Sequence, residues 1–314
     1  MRDPDRRTFL ATAAACCAAA VWPSSAHAQS ERTRLILLGT AGGPRPKRRA
    51  SAPAQVIVHR GAAYLVDCGN GVGRQMTLAG VPPETLRHVF LTHQHSDHNA
   101  DYGNVFLLAW GAGLKTAVDA WGPPPLQRMT ELFLELNATD IQTRMADEGR
   151  VPLAPLMRPH ELTRPGVVLN EQGMKVTTAL VHHPPLTPAL AYRFDTADRS
   201  IVISGDTARS DALIELARGA DVLVHEALYL AAVDRLVGSI PNASTLKKHI
   251  VDSHTSAEDC GRVAQAAGVK TLVLSHFVPT DDEEITDQMW AQAARAHFRG
   301  RVVVGRDLME VRDE

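Results

Sequence analysis

The segment Leu91-Thr-His-Gln-His-Ser-Asp-His-Asn99 places three imidazoles (His93, His95, His98) and one carboxylate (Asp97) within six positions. The run Arg87–Leu91 before it is short and apolar and reads as a buried strand. In a strand's period of two, His93 and His95 project on the same side as the chain leaves the sheet. Asp97 suits a helix start, where a carboxylate accepts from free backbone N–H groups. A turn there brings Asp97 and His98 back toward the first two rings. Imidazole nitrogen binds zinc and its neighbours in the series, and carboxylate oxygen adds charge to such a site. Four groups of this kind are costly to bury so close together unless they are paired or metallated. The chemistry on offer is therefore metal-assisted.

The elements that must position these groups can be read in order. Arg34–Leu38 is a strand ending in the Gly-rich turn Gly39–Pro44. That turn lacks the helix and the Gly-Lys-Ser/Thr or GxGxxG continuation a nucleotide site requires, and reads as part of the active-site rim. Lys47, Arg48 and Arg49 follow, as a solvated loop or as a hold for an anionic substrate. Gln55–Arg60 and Ala63–Val66 read as a hairpin, after which Asp67 stands beside glycines. Helices are expected at 73–79 and 104–110 and a strand at 116–121. Leu126–Leu136 carries an apolar stripe at helical spacing. Residues 137–173 read as irregular cover over the site's mouth.

In the second half, strands are expected at 174–181, 189–195, 200–204, 222–224 and 271–275, with closing strands at 302–304 and 309–311. Helices are expected at 210–218, at 256–267 with a capping box from Ser256 to Asp259, and at 290–298. Residues 231–253 read as a long loop. Asp206 and His276 stand just past strands, as do His182 and His183, between which alternation alone does not choose. Glu226 follows the strand at 222–224, and His254 follows the loop. No linker or low-complexity tract separates the halves.

Composition is that of a globular protein, with 45% hydrophobic and 22% charged residues among 314. The formal net charge of −2 advertises no broad nucleic-acid or membrane surface. No apolar run after the N-terminus is long enough to span a bilayer. The N-terminus itself carries Arg6-Arg7, the Ala-rich stretch Ala11–Val21 and Ala26-His27-Ala28. Together these read as a twin-arginine export signal over 1–28, cut after Ala28, which implies the translocase as a partner and a periplasmic location. One domain over 29–314 remains, with Cys68 and Cys260 far apart in sequence. An oxidising compartment permits a bridge, and export in the folded state favours two free buried thiols.

The His-Xaa-His-Xaa-Asp-His motif at 93–98 resembles that of the metallo-β-lactamase superfamily. The stretch Gly205–Ala227 and the triplet His254-Thr-Ser256 look much like the ribonuclease Z and arylsulfatase-like branch, with Thr and Ser exchanged in the triplet. That resemblance implies an α/β fold of αββα sandwich type, two mixed sheets face to face with helices outside. It implies two zinc ions, with manganese or iron as substitutes. His93, His95 and His183 would hold one, Asp97, His98 and His276 the other, and Asp206 would bridge them. The His-Pro-Pro junction is what favours His183 over His182.

By the same resemblance Asp67 supports the metal-binding loop, Glu226 orients His254 or a ligand, Asp97 also shuttles a proton, and His254 assists the leaving group. A metal-bridging hydroxide would attack a phosphodiester or sulfate ester. A lactone is the alternative substrate. A β-lactam fits less well, since β-lactamases of this plan commonly carry Cys where this chain has Asp206. Transfer-RNA processing members carry a long arm between the third His and the bridging Asp. Only residues 184–205 lie there, which argues for a small-molecule ester rather than tRNA. The sequence leaves a homo-oligomer open.

Overall fold

A computed structural model of the chain describes residues 32–241 and 244–313, so the expected export signal at 1–28 lies outside the described residues. β1 (Arg34–Gly39), β2 (Ala54–His59) and β3 (Ala62–Val66) form an antiparallel meander. Helix α1 (Val72–Leu78) leads to β4 (Leu86–Phe90), which lies parallel to β3. Helices α2 (Ser96–Asn99) and α3 (Tyr102–Gly111) lead to β5 (Val118–Gly122). Helices α4 (Leu126–Leu136) and α5 (Ala138–Asp147) lead to β6 (Met157–Glu161), and both new strands add in parallel.

The second sheet repeats this plan. β7 (Gly166–Glu171), β8 (Met174–His183), β9 (Leu186–Asp195) and β10 (Ser200–Ile203) are antiparallel neighbours. Helix α6 (Asp211–Leu216) then leads to β11 (Val222–Leu228). Three helices, α7 (Val233–Gly238), α8 (Leu246–Ser253) and α9 (Ala257–Ala267), precede β12 (Thr271–Val278). Helix α10 (Asp287–Arg295) precedes β13 (Arg301–Val304), and strands β10 to β13 are parallel. β14 (Met309–Val311) crosses back to pair with β1. The orders are β14-β1-β2-β3-β4-β5-β6 and β13-β12-β11-β10-β9-β8-β7.

The apolar runs of the sequence are continuous because these strands bury both faces. On β1, Leu35 and Leu37 join the core between the sheets, where they meet Val176, Leu190 and Val224. Ile36 and Leu38 point the other way, into the layer that holds Phe106, Trp110 and Leu126 of the outer helices. On β11, Val222 and Val224 face inward, while Leu223 packs toward Leu213, Val263 and Trp290. The result is the expected two mixed sheets face to face, with helices on both outer faces.

This topology aims the chemistry at one edge. β3 and β4 are parallel, and so are β10, β11 and β12. β8 is two antiparallel steps from β10 and so runs the same way. The segments after these strands therefore emerge side by side, the usual place for a site in sheets of this kind.

Several sequence expectations are corrected. Residues 137–173 are not irregular: they hold α5, β6 and β7. Helix α5 has only Ile141 buried and is laced by Arg144 pairing with Asp140 at 3.0 Å and Glu148 at 2.8 Å, so it lacks an apolar stripe to read. Nor do these residues line the mouth of the site. Residues 231–253 contain α7 and α8 rather than a long loop, and His254 consequently follows a helix. His225 and Glu226 lie within β11 and His276 within β12, not beyond them.

Candidate metal centre

Asp97 does not cap the helix it begins. It is the second residue of α2, and its Oδ2 accepts from the backbone N–H of Gly43 at 2.9 Å, across the Gly-rich turn. The carboxylate therefore faces the site instead of its own helix. His93 and His95 precede it on the extended exit from β4, and His98 sits on the single turn of α2.

The far nitrogens of three imidazoles are held in place. His183 donates from Nδ1 to the Ser253 carbonyl at 2.9 Å, and His98 donates from Nδ1 to Asp67 Oδ2 at 2.7 Å. The Thr92 hydroxyl lies 3.0 Å from Asp67 Oδ2, to which it gives its proton, and 3.0 Å from His93 Nδ1, from which it accepts. Each ring is thereby left with an Nε2 lone pair turned toward the cluster, the role that outer partners play around a metal. Asp67 also accepts from the Thr92 N–H at 2.8 Å, so one carboxylate orients both His93 and His98.

The inward nitrogens converge. His93 Nε2 and His183 Nε2 each lie 3.0 Å from His95 Nδ1. Asp97 Oδ2 lies 3.6 Å from His98 Nε2 and 3.4 Å from His276 Nε2. Asp206 Oδ2 stands between the two sets, 3.2 Å from His276, 3.4 Å from His98, 3.8 Å from His93 and 4.0 Å from His183. His182, by contrast, is exposed, and its backbone is tied to Thr207 and Ala208.

Two backbone features place these groups. Gly205 has φ +59, and a Cβ there would lie 2.8 Å from Thr92, so the glycine lets Asp206 enter beneath the His93 loop. His276 takes φ 46 at the point where the β11–β12 register slips between Glu226 and Ala227. A bulge of this kind re-aims a side chain at a functional edge. It explains how an imidazole that faces the cluster sits inside a strand, a detail that alternation cannot reveal.

The donor set fits divalent cations. His95 Nδ1 carries at most one proton for the two Nε2 lone pairs that face it at 3.0 Å, so at least one is left without a donor of its own, a deficit that a shared cation removes. His98 Nε2, both nitrogens of His276 and Asp206 Oδ1 are buried without a hydrogen-bond partner, which native interiors rarely tolerate. Burial pushes the pKa of His93 well down, and the neighbouring His98 adds to it. Burial, then His183, hold His95 at about 4. Burial also opposes the charge of His98, but Asp206, Asp67 and Asp97 outweigh it and carry its pKa well up. The cluster thus offers neutral imidazoles beside carboxylates that draw positive charge to themselves, the mixture that zinc-like ions bind.

His254 belongs to a neighbouring arrangement. Its Nδ1 is 3.3 Å from Glu226 Oε2 and 4.0 Å from Asp206 Oδ2. Burial lowers its pKa, but Glu226 overrides this and raises it to about 9. Glu226 is itself held by the backbone N–H of Thr255 at 2.7 Å, and the Thr255 hydroxyl donates to the Thr207 carbonyl at 2.6 Å. Ser256 caps α9, its hydroxyl accepting from Asp259 N–H at 3.1 Å. An open cleft of about 850 Å³ borders His95, Asp97, Asp206, His254 and His276.

His249 was missed by sequence reasoning. It lines this cleft, with its ring 5.8 Å from that of His95. Its i,i+4 relation to Ser253, and that of Leu246 to Ile250, was the available signal. Cys68 and Cys260 are free and buried.

A model of the β-lactamase superfamily domain matches residues 63–277, and the chain belongs to that superfamily as a metal-dependent hydrolase. Among its relatives, Ribonuclease Z of Mycobacterium bovis (strain BCG / Pasteur 1173P2) is 34% identical over 280 residues, covering 88% of this chain and 97% of the relative. Ribonuclease Z of Mycobacterium tuberculosis (strain ATCC 25618 / H37Rv) is 33% identical with the same coverage. The fold is similar to that of the short form of human tRNase Z, with TM-score 0.64 at 19% identity over 89% of this chain and 98% of the other. The metallo-β-lactamase fold protein YhfI from Bacillus subtilis superposes with TM-score 0.64 at 20% identity, with the same two coverages.

Proposed function

We propose that this protein is an exported, dinuclear zinc hydrolase of small phosphodiesters or sulfate esters. The observation that carries the reading is the convergence of six donors around Asp206. His93, His95 and His183 would hold one ion, Asp97, His98 and His276 the other, and the two oxygens of Asp206 suit a shared ligand. Two such ions would supply Lewis acidity and a nucleophile available at neutral pH. The chain's own residues do the rest. Asp67 fixes the rings of His93 and His98, and Gly43 fixes Asp97, whose carboxylate is placed to take a proton from the attacking water. His254, kept protonated by Glu226, is a proton donor facing the cleft, suited to the leaving oxygen.

The relatives' name, Ribonuclease Z, supports a phosphodiester. Between His183 and Asp206 stand only a tight connection and the strands β9 and β10, which supports a small substrate over tRNA. Export rests on Arg6-Arg7 and the Ala26-His27-Ala28 site. The test is metal analysis of protein recovered from the periplasm, with a panel of phosphodiesters, aryl sulfates, lactones and precursor tRNA. About two ions per chain with turnover of the first two classes is expected. A cytoplasmic protein that cleaves only precursor tRNA would overturn the reading.

A further inference from the structure

The cleft beside the metal centre is walled more by carbon than by charge. Leu236 lies on α7, Ile240 just beyond it, and Leu246 and Ile250 one turn apart on α8. Val278 and Pro279 stand among the other lining residues. Leu236, Leu246, Ile250 and Val278 pack around a small core with Leu228 and Val233, so this wall is built rather than incidental. At about 850 Å³ the cleft falls in the range of roughly 300–1,000 Å³ that encloses a small organic ligand.

The cations at the rim are largely committed already. Arg49 reaches Glu283 at 2.6 Å, and Arg48 reaches the same carboxylate at 3.8 Å. Arg235 reaches Asp282 at 2.8 Å and Glu284 at 3.4 Å. Arg45 and Lys47 line the cleft outside these pairs; Lys47 feels the charges of Asp97 and Asp281 and donates to the carbonyls of Gly43 and Arg45. A polynucleotide is held by many phosphate contacts, each needing a free cation. Two cations suit a single anionic head.

We propose that the cleft selects an ester carrying one bulky hydrocarbon or aryl group. The anionic head lies at the Asp206 and His254 end, and the apolar group lies against Leu236, Ile240, Leu246 and Ile250. The position of the head rests on the proposed reaction, whereas the apolar wall does not. Burying one methylene strengthens binding about fourfold, so a chain lying on this wall should show it.

The test is calorimetric titration of the metal-loaded protein with methyl-, butyl-, hexyl- and phenylphosphonate, none of which contains an ester to cleave. Affinity should rise roughly tenfold or more from methyl to hexyl. In Leu236→Ser and Ile240→Ser, both half-buried positions, the hexyl-to-methyl ratio should fall toward one in protein that retains the native melting temperature. Equal affinity for methyl- and hexylphosphonate in the unaltered protein overturns the proposal. So does an oligonucleotide that displaces hexylphosphonate at lower concentration. Chain-length dependence in a protein that hydrolyses neither phosphodiesters nor sulfate esters would leave this assignment standing and remove the proposed reaction. Hydrolysis of those esters without chain-length dependence would do the reverse.

Discussion

Two clusters of histidine differ in what surrounds them. At the flank where β4, β5 and β6 meet β7, His88 stacks on Tyr64 with centroids 5.1 Å apart, and His160 stacks on Trp121 at 4.1 Å. His88 Nε2 is 3.0 Å from Glu171, its Nδ1 accepts from Trp121 Nε1 at 3.4 Å, and His160 Nε2 is 2.7 Å from Asp119. None of these groups is among the buried side-chain atoms lacking a partner. At the sheet edge, by contrast, His98 Nε2, both ring nitrogens of His276 and Asp206 Oδ1 are buried without a partner. A satisfied histidine ties the sheets together. A convergent, unsatisfied set is shaped for something the polypeptide does not itself supply.

The comparison breaks most decisively at Asp206. Asp206→Ala should remove much of one ion from a complement of about two and lower turnover by roughly 10⁴-fold or more, the scale for losing one member of a catalytic unit. Elemental analysis and steady-state rates check this together, and full metal content with normal rates would remove the shared-ligand role. At the next level, His183→Ala should deplete metal while His182→Ala leaves it near normal. The opposite pattern would move the ligand by one residue.

His254 sharpens the contrast within the site. His254→Ala should retain both ions and lower the rate by roughly 10²–10⁴-fold, most for poor leaving groups and least for a nitrophenolate. A lowered melting temperature with unchanged rates for both would make it a structural residue at the start of α9.

The smallest effect belongs to the flank. His88→Leu should cost about 1–2 kcal/mol of stability through its lost hydrogen bonds, with metal content and turnover per folded molecule unchanged. Burial pushes the pKa of His88 below its ordinary 6.5, although Glu171 opposes this. As pH falls below 6.5 the unfolded chain therefore takes up a proton first, and the native state loses stability from there down to the folded pKa. Denaturant unfolding across that window should show a shallower loss in His88→Leu than in the unaltered protein.

Much of this was legible in the sequence, because dense ligands and strand periodicity are local. The cluster at 93–98, strands such as 174–181 and 200–204, the helix at 126–136 and the capping residue Ser256 are all short-range patterns of residue type. The elements missed offered too little of such a pattern. Helix α5 is polar on most of its surface, and α7 and α8 span only six and eight residues, yet these two supply the apolar wall of the cleft. The reading of Asp97 as a cap failed for a related reason. An N-cap is a local solution, whereas the Gly43 N–H that Asp97 accepts from is 54 residues away and arrives only when β1 and β4 have taken their places in the first sheet.

The sequence by itself determined the metal-binding residue types, the alternation of strands and helices and the double-faced burial of β1 and β11, since each depends on neighbours along the chain. Tertiary structure alone decided which atoms meet. The choice of His183 over the exposed His182, the turn of Asp206 under Thr92, the bulge that re-aims His276 from inside a strand and the carboxylate of Asp67 shared by two rings depend on register between strands distant in sequence. A shift of one residue in that register would carry each side chain to the opposite face of its sheet.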